Sequence, residues 1–230
     1  MTQPIYVFDL DDTLINGDCA MIWSEFLADN GIATDPDFVA NDRALMSQYA
    51  NGTLDMAQYL EFVMVPLKDV PVAQVHQLAK RCVQERVLPK LYPEAQRLIE
   101  NLHRDNIATL IISASVDFIV QAVAQEIGIS QAMGIELKVV NQRYTHEIQG
   151  IPSFREGKVA RIKEWLANRP EHHGEVHFFT DSINDLPLCE YADQTYLVNP
   201  CQQLTEHARR TQWPILNWGN KEMTLASLGH

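Results

Sequence analysis

The feature that most constrains this chain is a short apolar run, Ile5-Tyr6-Val7-Phe8, that stops at Asp9-Leu10-Asp11-Asp12-Thr13. β-Branched and aromatic residues in so short a run read as a buried strand. The carboxylates that follow cannot continue it, because a buried charge needs a partner. A strand that enters the core and releases acids at its carboxyl end belongs to an open α/β sheet, where ligands bind beyond the strand ends.

The rest of the chain fits that frame. From about Cys19 to Arg86 apolar positions recur at helical spacing: Ile22, Phe26 and Leu27, then Met56, Leu60, Val63 and Met64. Breaks fall at Asn30-Gly31, Asn51-Gly52, Pro66 and Pro71, and no strand candidate interrupts. After Pro89 the pattern alternates. Helices are predicted over 92–105, 116–127 (closed by Gly128), 154–167 and 186–191. Strands are predicted over 107–112, 176–179 and 195–198, with 135–140 and 144–148 as a hairpin. The expected fold class is α/β: a doubly wound, mostly parallel sheet, with the helical stretch as a separate unit. Residues 221–230 are expected to form a loosely held polar tail.

With 230 residues, 46% of them apolar, the chain can bury a core of ordinary size and carry such an insertion. Its formal charge of -12 argues against nucleic acid as a partner. A small anionic substrate remains compatible, since a bound divalent cation can reverse the field inside one cleft. Cys19, Cys82, Cys189 and Cys201 are far apart, so reduced thiols are expected rather than a zinc site or a disulfide framework. The N-terminus lacks the pattern of a signal peptide, and no stretch approaches the ~20 apolar residues that span a bilayer. A cytoplasmic enzyme acting away from membranes is the expectation, and no protein partner is implied.

Polar residues cluster at the predicted strand ends: Asp9, Asp11 and Thr13 after the first, Ser113 and Ser115 after the second, Asp181, Asn184 and Asp185 after the Val176 strand. Lys158, early on a helix, can reach the same edge. Each has a use if the substrate is a phosphate monoester. Asp9 can attack phosphorus and form an aspartyl-phosphate. Asp11, two residues on and thus on the same side of an extended chain, can protonate the leaving oxygen and then deprotonate water. Magnesium prefers oxygen ligands, which Asp9, Asp181 and the Asp11 carbonyl can supply. Ser113 and Lys158 can hold the phosphoryl oxygens and offset their charge. Taken singly these residues have plainer readings: a solvated acidic turn, a helix N-cap at Ser113, a surface lysine. Their order along one sheet favours the shared site.

Together the motifs Asp9-Leu10-Asp11-Asp12-Thr13, Ser113, Lys158 and Asp181 with Asp185 resemble those of the haloacid dehalogenase superfamily, from about Ile5 to Asn199. An Asp two residues after the nucleophile implies a phosphatase or phosphotransferase rather than a dehalogenase. The helical stretch between the first two motifs resembles a small helical cap inserted over the active site, and with the segments Ser113-Ala114-Ser115-Val116-Asp117 and Phe154-Arg155-Glu156-Gly157-Lys158-Val159 it is similar to the phosphoserine phosphatase-like branch. The resemblance implies an α/β catalytic core of residues 1–17 and 88–220 with an inserted helical cap domain, 18–87. The resemblance implies a Mg2+ cofactor on Asp9, Asp11 and Asp181 with Asn184 and Asp185 behind them, and phosphate binding by Thr13, Ser113 and Lys158. Asp18 stands where that branch has a substrate-binding glutamate, and Thr180 where many members have glycine.

The chain departs from that branch in its cap. The arginine that binds the carboxylate of phosphoserine should fall between about Met56 and Pro66, where there is no Arg or Lys. A carboxylate on the substrate would gain no charge-assisted hydrogen bond there. A neutral or cationic alcohol phosphate is the better expectation, with Asp18 or Glu61 meeting the positive end and Ser115 a further specificity candidate. Glu61 has an alternative place on the cap's solvent face. Phosphotransfer to a second alcohol would use the same nucleophile. A receiver-like module phosphorylated on Asp9 would not need Asp11. His172 and His173 fall in a segment, 169–174, that reads as a surface loop, with His177 nearby in the predicted strand, and Trp213 and Trp218 read as packing residues.

Overall fold

The computed structural model describes residues 3–50, 52–169 and 174–219. Strand β1 (Ile5–Phe8) lies in the middle of a six-stranded sheet with β2 (Ala108–Val116) and β3 (Ala132–Ile135) on one side and β6 (Val176–Thr180), β7 (Gln194–Val198) and β8 (Ile215–Leu216) on the other. The pairings are parallel throughout, with Val7 level with Leu110 and Phe178. The chain leaves β1 towards one neighbour and returns to its other side as β6. A crevice therefore opens at the carboxyl end of β1, the switch point of the sheet.

Alternation along the strands splits the core. Ile5, Val7, Leu110, Ile112 and Phe178 pack against Ile162 and Trp165 of α7 (Glu156–Ala167) and Leu188 of α8 (Leu186–Tyr191). On the other face Phe8, Ile111, Phe179 and Val198 meet α5 (Pro93–Arg104) and α6 (Asp117–Ile127). That second cluster continues without a break into α1 (Cys19–Asp29), α3 (Met56–Val63) and α4 (Val72–Cys82), which with α2 (Phe38–Ala50) lie between β1 and β2 in sequence. The two linkers to this helical layer run side by side: Asn16 N–H donates to the Lys90 carbonyl at 2.8 Å and Tyr92 N–H to the Leu14 carbonyl at 3.0 Å.

Several local expectations change. β2 runs on through Ser113 to Val116, past a register shift after Ile112, so Ser113 and Ser115 belong to the strand end rather than to a helix cap. The hairpin is β4 (Leu137–Val140) with β5 (Arg143–Ile148), while residues up to Ile135 form the edge strand β3. Helix α9 (Gln202–Thr211) and strand β8 carry no clear signal in the sequence. Trp218 packs against Tyr92 and Phe179. The four cysteines are free thiols, and only Cys201 is exposed. Among the described residues no helix is long and apolar enough to cross a membrane. The tail 221–230 and the pair His172 and His173 lie outside the described residues.

Candidate active site

Asp9 follows directly on β1, its N–H donating to the Phe179 carbonyl of β6 at 2.9 Å. Lys158, 1% exposed on the first turn of α7, places its Nζ 2.8 Å from Asp9 Oδ1 and 2.7 and 2.8 Å from the two oxygens of Asp185. Burial works against the ammonium, but Asp185 and Asp9 overcome it and hold Lys158 above the ordinary lysine range. The approach of α7 depends on Gly157, where a Cβ would come within 1.9 Å of the Pro152 carbonyl oxygen. Thr180 Oγ1 donates to Asp185 Oδ2 at 2.7 Å and so fixes the lysine's partner. The departure at Thr180 is the sign of this role in the sequence.

Asp11 is held by three donors: Cys19 N–H at 2.7 Å on one oxygen, Ser113 and Ser115 hydroxyls at 3.1 and 2.9 Å on the other. Ser113 Oγ also accepts from the Ser115 N–H. Thr13 Oγ1 lies 3.1 Å from Asp181 Oδ1 and 3.4 Å from Asp9 Oδ2, joining the β1 and β6 ends. The sequence-predicted groups thus fall into two hydrogen-bonded sets at the carboxyl end of the sheet, Asp9 with Thr13, Lys158, Asp181 and Asp185, and Asp11 with Ser113 and Ser115.

The carboxylates outnumber the ammonium. Burial raises Asp9 to about 7, with Lys158 opposing and Asp185 and Asp11 adding to the rise. Burial and then Asp9, Asp12 and Asp185 push Asp181 well above its ordinary range, only partly offset by Thr13. A hard divalent cation fits such an all-oxygen, electron-rich donor set. Among the described residues no three His, Cys, Asp or Glu side chains gather as a metal site. The expected set does not require three, because the Asp11 contribution is its main-chain carbonyl.

Above this floor is a cavity of about 320 Å³ bounded by the helical layer. Its lining includes Asp18, Trp23, Tyr59, Leu60, Ser115 and Phe118, and contains no Lys, Arg or His among the described residues. Asp18 caps α1 by accepting from Met21 N–H at 2.9 Å; burial first, then Asp11, raises it to about 7. Of the two places open to Glu61, it has the solvent face and is not a specificity residue of the cavity. It is exposed and does not line the cavity, because the inward stripe of α3 is Met56, Tyr59, Leu60 and Val63, and Glu61 falls off that stripe.

Asn184 engages the helical layer. Its Nδ2 donates to the Tyr49 carbonyl at 3.2 Å, and its Oδ1 accepts from Arg155 Nε and Nη2 at 3.4 Å. Arg155 Nη2 also donates to the Gly52 carbonyl at 2.8 Å. The two residues form a clasp between the sheet's edge and the end of α2. Arg155 belongs to the segment before Lys158 but has no role of its own in the sequence motifs, and its backbone is left-handed, with φ 51 and ψ -124.

The chain matches the sequence model of the haloacid dehalogenase-like hydrolases over residues 6–190. It is 32% identical over 216 residues to a histidinol-phosphatase of Neisseria meningitidis serogroup C (strain 8013), covering 92% of this chain and 97% of that one. Among solved structures, a protein with unknown function from Bordetella pertussis Tohama I superposes with a TM-score of 0.86 at 29% identity, over 94% of this chain and 99% of that one. A substrate-bound phosphoserine phosphatase shares the fold, with a TM-score of 0.69 at 16% identity over the whole of both chains.

Proposed function

The chain belongs to the haloacid dehalogenase-like hydrolases and is a phosphoric monoester hydrolase of that family, and from that premise we propose that it cleaves a small cationic alcohol phosphate with Asp9 as nucleophile. The core would be residues 1–17 and 88–220, with 18–87 as the cap over the reacting phosphate. The observation that carries the chemistry is Lys158, clamped between Asp9 and Asp185 at the switch point of the sheet. It holds Asp9 in place for attack on phosphorus. Asp11, oriented by its three donors, gives a proton to the departing alkoxide, and the phosphoryl group rests on Asp9. Asp11 then takes a proton from the water that attacks phosphorus, freeing inorganic phosphate and regenerating Asp9. Lys158, Ser113 and Thr13 would meet the phosphoryl oxygens. Mg2+, held by Asp9, Asp181 and the Asp11 carbonyl, would supply positive charge against the phosphoryl oxygens when bound.

The substrate class rests on the cavity lining. A carboxylate on the leaving group would face Asp18 and find no cationic side chain, whereas an ammonium or imidazolium would be welcomed. The relative named a histidinol-phosphatase makes histidinol phosphate, an alcohol phosphate with an amine and an imidazole, the first compound to assay. Phosphate release with magnesium should be faster, as kcat/KM, from histidinol phosphate than from phosphoserine. The reverse preference would refute the cationic reading while leaving the phosphatase chemistry standing.

A further inference from the structure

Asp42 is a fully buried carboxylate in α2 (0% exposed), and neither of its oxygens completes a hydrogen bond. A buried acid left so is costly, and such a group calls for an explanation. Burial pushes it up to about 6, while the facing hydroxyls of Ser24 on α1 and Tyr59 on α3, and then Arg43, draw it back. Arg43 is committed at the surface to Glu25, 3.1 Å away. Ser24 and Tyr59 both line the cavity, on the side bounded by the helical layer that also presents Asp18.

We propose that Ser24, Tyr59 and Asp18 form the subsite for a cationic nitrogen of the leaving alcohol, with Asp42 behind the two hydroxyls as its counter-charge. This deepens the reading of the substrate as a cationic alcohol phosphate and rests on it. A hydroxyl has one proton and two lone pairs. With their protons turned to Asp42, Ser24 and Tyr59 present only lone pairs to the cavity, an arrangement that accepts from N–H and repels a carboxylate. A primary ammonium has three N–H donors, one for each of Ser24 Oγ, Tyr59 Oη and an Asp18 oxygen. The charge on Asp42 reaches the ligand through the hydroxyls, so Asp42 is a positioning residue and not a catalytic one. Its incomplete hydrogen bonding fits a site whose hydroxyls settle only when a cation is bound.

The test compares KM for histidinol phosphate with KM for p-nitrophenyl phosphate, which has no cation, in wild type and in Asp42→Asn and Tyr59→Phe. Both variants should raise KM for histidinol phosphate about tenfold more than KM for the aryl ester, as expected from losing a hydrogen bond to a charged group. An equal rise for the two esters would mark Asp42 and Tyr59 as merely structural, and no change in either would make them spectators. Either result overturns the subsite. If wild type itself shows no preference for the cationic ester, the substrate class falls and takes the subsite with it. A wild-type preference that survives in both variants overturns the subsite alone.

Discussion

Lys158 is clamped between two carboxylates where water is nearly excluded, and removing it would leave Asp9 and Asp185 facing each other unpaired. Breaking one partner from such a group typically costs ~3–5 kcal/mol. Lys158→Met should therefore lower unfolding stability by about that amount at pH 7.5 in urea titrations and also abolish turnover. Asp42 has the opposite relation to stability. Burial raises its pKa from 3.8 to about 6, so the folded state holds that proton more tightly than the unfolded chain does. The corresponding stability is present below about pH 4 and is lost as pH rises through about 6. About two pKa units at ~1.4 kcal/mol each give a penalty of up to roughly 3 kcal/mol at neutral pH. Asp42→Asn should accordingly melt at a higher temperature than wild type at pH 7.5, with the difference vanishing near pH 4. An equal or lower melting temperature at pH 7.5 would mean that the carboxylate is not kept at a cost to stability.

Among the elements, the clasp from the end of α2 to the sheet's edge is the one that sequence periodicity could not disclose. Arg155 holds a φ/ψ combination that L-residues rarely adopt, at a typical cost of ~1–3 kcal/mol, and its guanidinium reaches Gly52 and Asn184. Arg155→Gly would relieve the backbone and release the clasp together. Thermal stability should hold or rise while kcat/KM falls, which calorimetry and steady-state kinetics can check side by side. Where elements were legible, it was because periodicity and breakers agreed, as in α1, α3, α5 and β1. Strand β3 was missed because Ala132-Met133-Gly134-Ile135 has little intrinsic strand preference; its pairing to β2 makes it one. Gly134 is required there, since a Cβ would come within 2.5 Å of Asp117 Cα. The two places open to Glu61 could not be separated for a related reason: the acid is visible, but which side of α3 faces the cavity depends on packing.

For the molecule as a whole, one apolar cluster runs from the sheet into the helices above it, so the cavity is bounded by parts of the same core. Part of the negative charge sits at the cavity floor, where burial and mutual repulsion raise Asp9 and Asp181. The motif order made that floor legible from sequence, because neighbouring parallel strands put their carboxyl ends together. The Asp42 pocket was not legible, since it depends on three helices meeting. Magnesium should relieve the crowded carboxylates of the folded state. Saturating magnesium should raise the melting temperature by a few degrees, since ligand at 100 times Kd contributes about 2.7 kcal/mol. Asp181→Asn should lose most of that rise.

The identity of the nucleophile is tested most directly by borohydride reduction of enzyme quenched during turnover of histidinol phosphate, followed by peptide mass spectrometry. An acyl phosphate on Asp9 is reduced to homoserine at that position, and this conversion is expected only when substrate and magnesium are both present. Homoserine at Asp11 or Asp181 instead, or rapid phosphate release with Asp9 unmodified, would contradict attack by Asp9.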